Sequence, residues 1–152
     1  MSEKIVAVSG GFDPIHVGHL RMMKEAAEHG KLTVIINSDE WLVRKKGYVF
    51  MPWEERAELI SELSCVARVV EAKDNDRTVC ESLREERPDI FANGGDRVSH
   101  TTPEARLCEE LGIELMYDVG GGKVRSSSVL VKEVTQKKRS KDLEKFRSQT
   151  AL

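Results

Sequence analysis

Short β-rich runs alternate with helical patterns from Lys4 to about position 135, and a chain in that order has few ways to bury both kinds of element. Lys4 to Ser9 reads as a strand. Gly18 to His29 follows as a helix with Leu20, Met23, Ala26 and Ala27 at helical spacing and Gly30 as its stop. Leu32 to Asn37 is a second strand. Pro52 opens a helix to about Leu63, with Trp53, Ala57, Ile60 and Leu63 on one face, and Val66 to Glu71 is the third strand. Thr78 is the candidate N-cap of a helix through Arg87 that Pro88 ends, before a fourth strand from Asp89 to Ala92. Pro103 to Leu111 is a helix closed by Gly112, Ile113 to Asp118 the fifth strand, and Ser126 the start of a last helix. The expected architecture is α/β: a doubly wound, five-stranded parallel sheet of order 3-2-1-4-5 with helices on both faces.

Such sheets bind ligands outside the carboxyl ends of their strands, where the strand order reverses. The segments expected there are Gly10–His19, the loop Ser38–Met51, Asn93–Thr102 and Gly120–Ser128. The 152 residues suit one domain, here 1–135, with a polar tail from 136 to 152 that reads as a solvated helix or frayed end. With 24 Lys+Arg against 26 Asp+Glu the net charge is −2, which argues against a protein that coats nucleic acid, so any anion site must be local. Nothing approaches the roughly 18 consecutive apolar residues of a membrane span, and Met-Ser-Glu-Lys does not read as a secretory leader, so the expected address is cytoplasmic. Cys65, Cys80 and Cys108 are widely spaced without a C-x-x-C pair and read as reduced, mostly buried thiols.

The run Gly10-Gly11-Phe12-Asp13-Pro14-Ile15-His16-Val17-Gly18-His19 leads from the first strand into a helix N-terminus. Glycines let a backbone bend tightly and bring its N–H groups close to a ligand, and the helix start adds positive potential, so this is a phosphate cradle by construction. It has neither G-x-x-x-x-G-K-[ST] nor G-x-G-x-x-G spacing. In place of a P-loop lysine it offers His16 and His19, with Gly18 between them keeping the surface low. Both imidazoles can face one anion, and either can carry positive charge when phosphates raise its pKa. His29 and His100 read as ordinary surface or core residues, and no third ligand is spaced to complete a metal site.

The G-G-F-D-P-I-H-V-G-H stretch resembles the T/G-x-F-D-x-x-H-x-G-H motif of the cytidylyltransferase-like nucleotidyltransferases, whose fold is Rossmann-like. A second likeness lies far along the chain, where Gly122-Lys123-Val124-Arg125-Ser126-Ser127-Ser128 resembles the R/I-S-S/T-T element of that family at its last helix N-terminus. Asp39-Glu40, Arg56-Ala57-Glu58 and the stretch from Arg87-Pro88-Asp89-Ile90 to Gly94-Gly95-Asp96 look like the adenylyltransferase domain of bacterial heptose-phosphate enzymes. Glycerol-3-phosphate cytidylyltransferase is the next nearest. The chain departs from the K-G-G-D-Y of the heptose type, reading Ala92-Asn93-Gly94-Gly95-Asp96-Arg97.

The resemblance implies transfer of AMP or CMP from a nucleoside triphosphate, ATP or CTP, to a small phosphorylated acceptor, a sugar or polyol phosphate, with release of pyrophosphate. Two anions must meet, so the work is positioning and electrostatic stabilisation. His16 and His19 are assigned to the α- and β-phosphate oxygens. By the resemblance Gly11 and Phe12 offer backbone groups to phosphate, Gly10 and Gly18 are nucleotide-binding positions of the same turn, and Asp13 orders the loop or sits near the acceptor. Arg44, Lys45 and Lys46 form a basic cluster at the expected ligand edge, where the related enzymes place a catalytic lysine; Lys46 is the candidate, with Arg44 second. Asp39 is either an acceptor-hydroxyl ligand or an N-cap. Asn93, Gly94, Gly95 and Asp96 border the nucleoside, and Arg125 with Ser126, Ser127 and Ser128 holds the β- and γ-phosphates. Mg²⁺ is implied, held mainly by the nucleotide. No nucleic-acid or membrane partner is expected, and a homodimer is expected by analogy alone. The alternatives are a glycerol-3-phosphate-type cytidylyltransferase, an adenylyltransferase for a phosphorylated vitamin precursor, and a nucleotide-binding sensor without turnover.

Overall fold

The computed structural model describes residues 3–74, 78–94 and 102–119. The helix expected from Ser126 and the tail 136–152 lie outside them. The elements run β1 (Ile5–Gly10), α1 (Val17–Ala27), β2 (Lys31–Ile36), α2 (Asp39–Lys46), α3 (Trp53–Ser61), β3 (Val66–Glu71), α4 (Cys80–Glu86), β4 (Ile90–Gly94), α5 (Pro103–Leu111) and β5 (Glu114–Val119). All five strands pair in parallel, in the expected order β3-β2-β1-β4-β5.

The sheet is covered on both faces, which is what its near-continuous apolar strands require. On one face Val6, Val8, Val34 and Ile36 pack with Met23 and Ala26 of α1 and Ile60 of α3. On the other, Ala7, Ile35 and Phe91 pack with Leu83 of α4 and with Leu107 and Cys108 of α5. Cys108 is buried, Cys65 and Cys80 are half-buried, and all three are free thiols; burial pushes the Cys108 thiol up to about 11.

Register brings the functional segments to one edge. Gly10 of β1 lies beside Ile36 of β2, Ile36 beside Glu71 of β3, and Gly94 of β4 beside Val119 of β5. β1 pairs with β4 through Val6–Ile90 and Ala7–Phe91, short of the carboxyl end. The order reverses between these two strands, so the β1–α1 turn opens at the position where doubly wound sheets take ligands.

Two local expectations change. Residues Ser38–Met51, read as a loop, contain α2. Ser38 caps it by accepting from the Trp41 N–H at 3.1 Å, acids fill the first turn, Arg44, Lys45 and Lys46 fill the last, and Gly47 ends it in the left-handed region at φ 83°. Only Leu42 of this helix is buried, so it carries no apolar stripe to announce itself. The N-cap of α4, which starts at Cys80, is Val79 rather than Thr78, although the Thr78 hydroxyl accepts from the Cys80 N–H at 3.3 Å. The buried Asp74 carboxylate accepts from the N–H groups of Glu81 (2.7 Å) and Ser82 (3.3 Å) and from the Ser82 hydroxyl (2.6 Å), capping the helix from the end of β3.

Gly30 joins α1 to β2, where the Lys31 N–H donates to the Lys4 carbonyl at 2.8 Å. A Cβ on Gly30 would lie 2.3 Å from that same carbonyl oxygen. Gly30→Ala is therefore expected to destabilise the fold by about 1–3 kcal/mol through backbone displacement at the start of the sheet, which a lowered midpoint in urea unfolding would reveal. An unchanged midpoint would contradict this packing.

Candidate active site

The turn between β1 and α1 is built around its own side chains. A Cβ on Gly10 would lie 2.9 Å from the Phe12 ring, one on Gly11 2.9 Å from Leu42, and one on Gly18 2.9 Å from the His16 ring. The glycines, expected to open room for a ligand, are each required first by an internal neighbour. Phe12 takes φ 53°, and its buried ring meets His19 edge-on at 4.9 Å.

His16 is the N-cap of α1 and His19 lies in its first turn. The Gly18 N–H donates to His16 Nδ1 and the His16 N–H donates to His19 Nδ1, both at 3.1 Å. Each Nδ1 is thus an acceptor, so each neutral imidazole carries its proton on Nε2. The rings stack at 3.7 Å. Burial, reinforced by the neighbouring His16, lowers the His19 pKa to about 3. In the unliganded protein His19 is therefore uncharged at neutral pH, a donor by its N–H dipole.

Asp13 organises the loop. Its carboxylate accepts from the Phe50 N–H at 2.7 Å and from the Met51 N–H, and pairs with Lys46 Nζ at 2.9 Å, with its side chain 1% exposed. Lys46 also donates to the Asp13 carbonyl at 2.8 Å and lies over the Tyr48 ring. The basic cluster thus ends a helix. Its other members point elsewhere: Arg44 pairs with Glu40 at 3.6 Å and Lys45 lies over the Trp41 ring.

Asp39 is not the N-cap, which is Ser38; it pairs with the Arg56 Nη2 at 2.6 Å. Arg56 is wholly buried, and the apolar spacing of α3 gives no sign of it. Its Nη1 donates to the carbonyls of Gly11 (2.7 Å) and Asn37 (2.8 Å), and its Nε donates to that of Met51 (2.9 Å). Its likeness to the family within Arg56-Ala57-Glu58 is the signal that marks it. Trp53 packs as expected, donating from Nε1 to the Ile36 carbonyl at 3.2 Å.

One edge therefore gathers Gly10, Gly11, Phe12, Asp13, His16, Gly18, His19, Asp39 and Lys46. Asn93 and Gly94 are the last two residues of β4. Gly95, Asp96, His100, Arg125 and Ser126–Ser128 lie outside the described residues. Among the described residues no group of three or more His, Cys, Asp or Glu side chains could hold a metal ion, and no helix is long and apolar enough to cross a membrane.

The family model described as cytidylyltransferase-like matches residues 7–143, nearly the whole chain. The chain belongs to the cytidylyltransferase-like family. Among its relatives in that family, the bifunctional protein HldE of Hydrogenovibrio crunogenus is 36% identical over 124 residues, covering 78% of this chain and 23% of that protein. The chain thus spans about a quarter of the length of the first such relatives. The D-beta-D-heptose 1-phosphate adenylyltransferase of Bordetella bronchiseptica is 31% identical over 139 residues, covering 87% of this chain and 82% of the relative. The FAD synthase of Archaeoglobus profundus is 34% identical over 106 residues, covering 70% and 65%. Among solved structures, the lipopolysaccharide core biosynthesis protein of Thermoplasma volcanium superposes with TM-score 0.61 at 29% identity, covering 77% of this chain and 95% of that one. The Rossmann-like nucleotidyltransferase fold is common to this chain and its relatives in the cytidylyltransferase-like family.

The buried imidazole has a measurable pH signature. The unfolded chain binds a proton on His19 near pH 6.5, whereas the folded protein binds it only near 3, so acidification between those values favours unfolding. Stability should be fully retained above pH 6.5 and decline progressively below it, and His19→Gln should flatten that slope in urea unfolding at stepped pH. Nitrogen-15 NMR should find the His19 proton on Nε2 throughout pH 5–8; titration of this ring near 6.5 would contradict the geometry.

Proposed function

We propose that the chain is an adenylyltransferase that moves AMP from ATP to a small phosphorylated acceptor, a sugar phosphate, with release of pyrophosphate. What carries the reading is the pair of stacked imidazoles at the sheet's reversal point, each accepting a backbone N–H at Nδ1 and so bearing its proton on Nε2. The heptose 1-phosphate adenylyltransferase relative, matched over most of both chains, supports the choice of nucleotide and acceptor class.

In this reaction an acceptor phosphate oxygen attacks the α-phosphorus in line. The new P–O bond forms as the bond to the β-phosphate oxygen breaks, and pyrophosphate leaves. A phosphate monoester is already ionised near pH 7, so the step needs no general base. His16 and His19 donate from Nε2 to α- and β-phosphate oxygens, where negative charge shifts in the transition state. Backbone groups of Gly10, Gly11 and Phe12 line the turn, and Gly18 keeps the surface between the histidines low. Two of the three Lys46 N–H donors are held by Asp13, which leaves one for an acceptor phosphate, with Arg44 beyond it on α2. Asp39, half-exposed beside Arg56, borders the acceptor.

Asn93, Gly94, Gly95 and Asp96 serve the nucleoside; Arg125 with Ser126, Ser127 and Ser128 serves the β- and γ-phosphates. Mg²⁺, held mainly by the triphosphate, would supply charge neutralisation when bound. Asp13 already accepts from three donors, so the triphosphate itself would be the main source of ligands.

A second reading, transfer of AMP to a flavin phosphate, is favoured by the FAD synthase relative. Both readings are tested by pyrophosphate release. ATP with a heptose or hexose 1-phosphate is expected to release it, and ATP with flavin mononucleotide is expected to release far less. No release with any phosphorylated acceptor, from ATP or CTP, would identify a nucleotide-binding sensor instead.

His16→Ala and His19→Ala should each lower turnover by a factor on the order of 10²–10³, comparable to losing one oxyanion-type donor. Undiminished turnover in either variant would overturn these roles. Arg125→Ala should weaken ATP binding, which a smaller ATP-induced rise in melting temperature would report.

A further inference from the structure

We propose that Arg56 is a positioning residue for adenylyl transfer: its buried guanidinium sets the distance between the phosphate turn after β1 and the segment from Lys46 to Met51 on the acceptor side. The proposal rests on the transfer reading above.

A wholly buried cation is a poor choice for filling space, because desolvation opposes it and an apolar side chain would pack as well. What the guanidinium supplies is a rigid planar fork of donors with fixed angles. It joins three backbone carbonyls that belong to three separate segments: Gly11 after β1, Asn37 after β2, and Met51 before α3. A carboxylate, Asp39, closes the set at 2.6 Å.

Met51 is held from both sides. Its N–H donates to Asp13, and its carbonyl accepts from Arg56. Asp13 in turn sits two residues beyond Gly11 and holds Lys46 at 2.9 Å. The path Gly11–Arg56–Met51–Asp13 is therefore a ring closed by the chain from Asp13 back to Gly11, with Lys46 held to it as a branch at Asp13. Lysine cannot span it, having one nitrogen where arginine has three.

Misplacing one reactant relative to the other by about 1 Å costs on the order of 10²-fold in rate, even when both still bind. Loss of Arg56 therefore acts on turnover more than on nucleotide affinity, since the histidines remain on α1.

The test uses the full chain carrying Arg56→Lys, with two readouts. Amide hydrogen exchange should quicken at least about tenfold at Phe50 and Met51 while β1 and β2 keep their protection. Pyrophosphate release, normalised to ATP-binding-competent protein by titration calorimetry, should fall about 10–100-fold with ATP affinity changed less than about threefold.

Unchanged exchange at Phe50 and Met51 would overturn the proposal. So would protection lost evenly across β1 and β2, or full turnover per competent molecule, since a merely structural arginine gives those results. If Arg56→Lys does not fold, Asp39→Asn, which weakens the half-exposed end of the fork, carries the exchange readout alone, because Asp39 also borders the acceptor; exchange at Phe50 and Met51 should quicken by a smaller factor, and unchanged exchange would overturn the proposal. Should the unmodified protein release no pyrophosphate with any acceptor, the transfer reading fails, while the exchange data still decide whether Arg56 holds the two segments.

Discussion

Opposite charges, both taken out of water, hold the active edge of this sheet. A buried carboxylate collects two backbone N–H groups and an ammonium, and a buried guanidinium collects three carbonyls within the same few ångströms of chain. Neither group is neutralised by the other: Asp13 has Lys46 and Arg56 has Asp39 as its counter-charge, and the backbone supplies the remaining partners of each. That division matters because loops beyond a parallel sheet have no ladder to join, and their polar groups must be paired some other way or exposed. The architecture of strands and helices brings the segments near, and these two side chains decide how near.

Within that frame the His19 imidazole behaves as a fixed dipole. A charged histidine would repel its stacked neighbour and lose one of the two bonds to the backbone, so the cap geometry and neutrality enforce each other. Positive charge near the turn is left to side chains on other segments, above all Lys46. A donor whose strength does not depend on proton uptake suits the transfer proposed above, in which phosphate charge shifts as bonds rearrange.

Much of this was legible from residue order. The alternation of strands and helices predicts five parallel strands in the observed order, because right-handed crossovers and two-sided burial leave little else for such a pattern. The glycine and histidine run predicts a turn that opens α1, and His16 does cap it. Helix α2 escapes periodicity, since only Leu42 is buried, yet its boundaries are written in Ser38, Asp39, Glu40, the three terminal cations and Gly47. Arg56 escapes for a different reason. A charged residue between apolar ones normally faces solvent, and its partners come from segments 5, 19 and 45 residues away. Pattern rules that look a few residues either side have no access to that.

The positive φ of Phe12 carries a further meaning. An aromatic residue in the left-handed region is disfavoured in isolation, so nothing in residues 10–16 by themselves prefers this bend. The ring is nonetheless part of the apolar interior, seated over Gly10 and against His19. The loop therefore has no independent existence as a local motif: it appears only once the hydrophobic interior closes around that one side chain. A grafted copy of residues 10–16 would lack the shape, because the shape is inherited from the core.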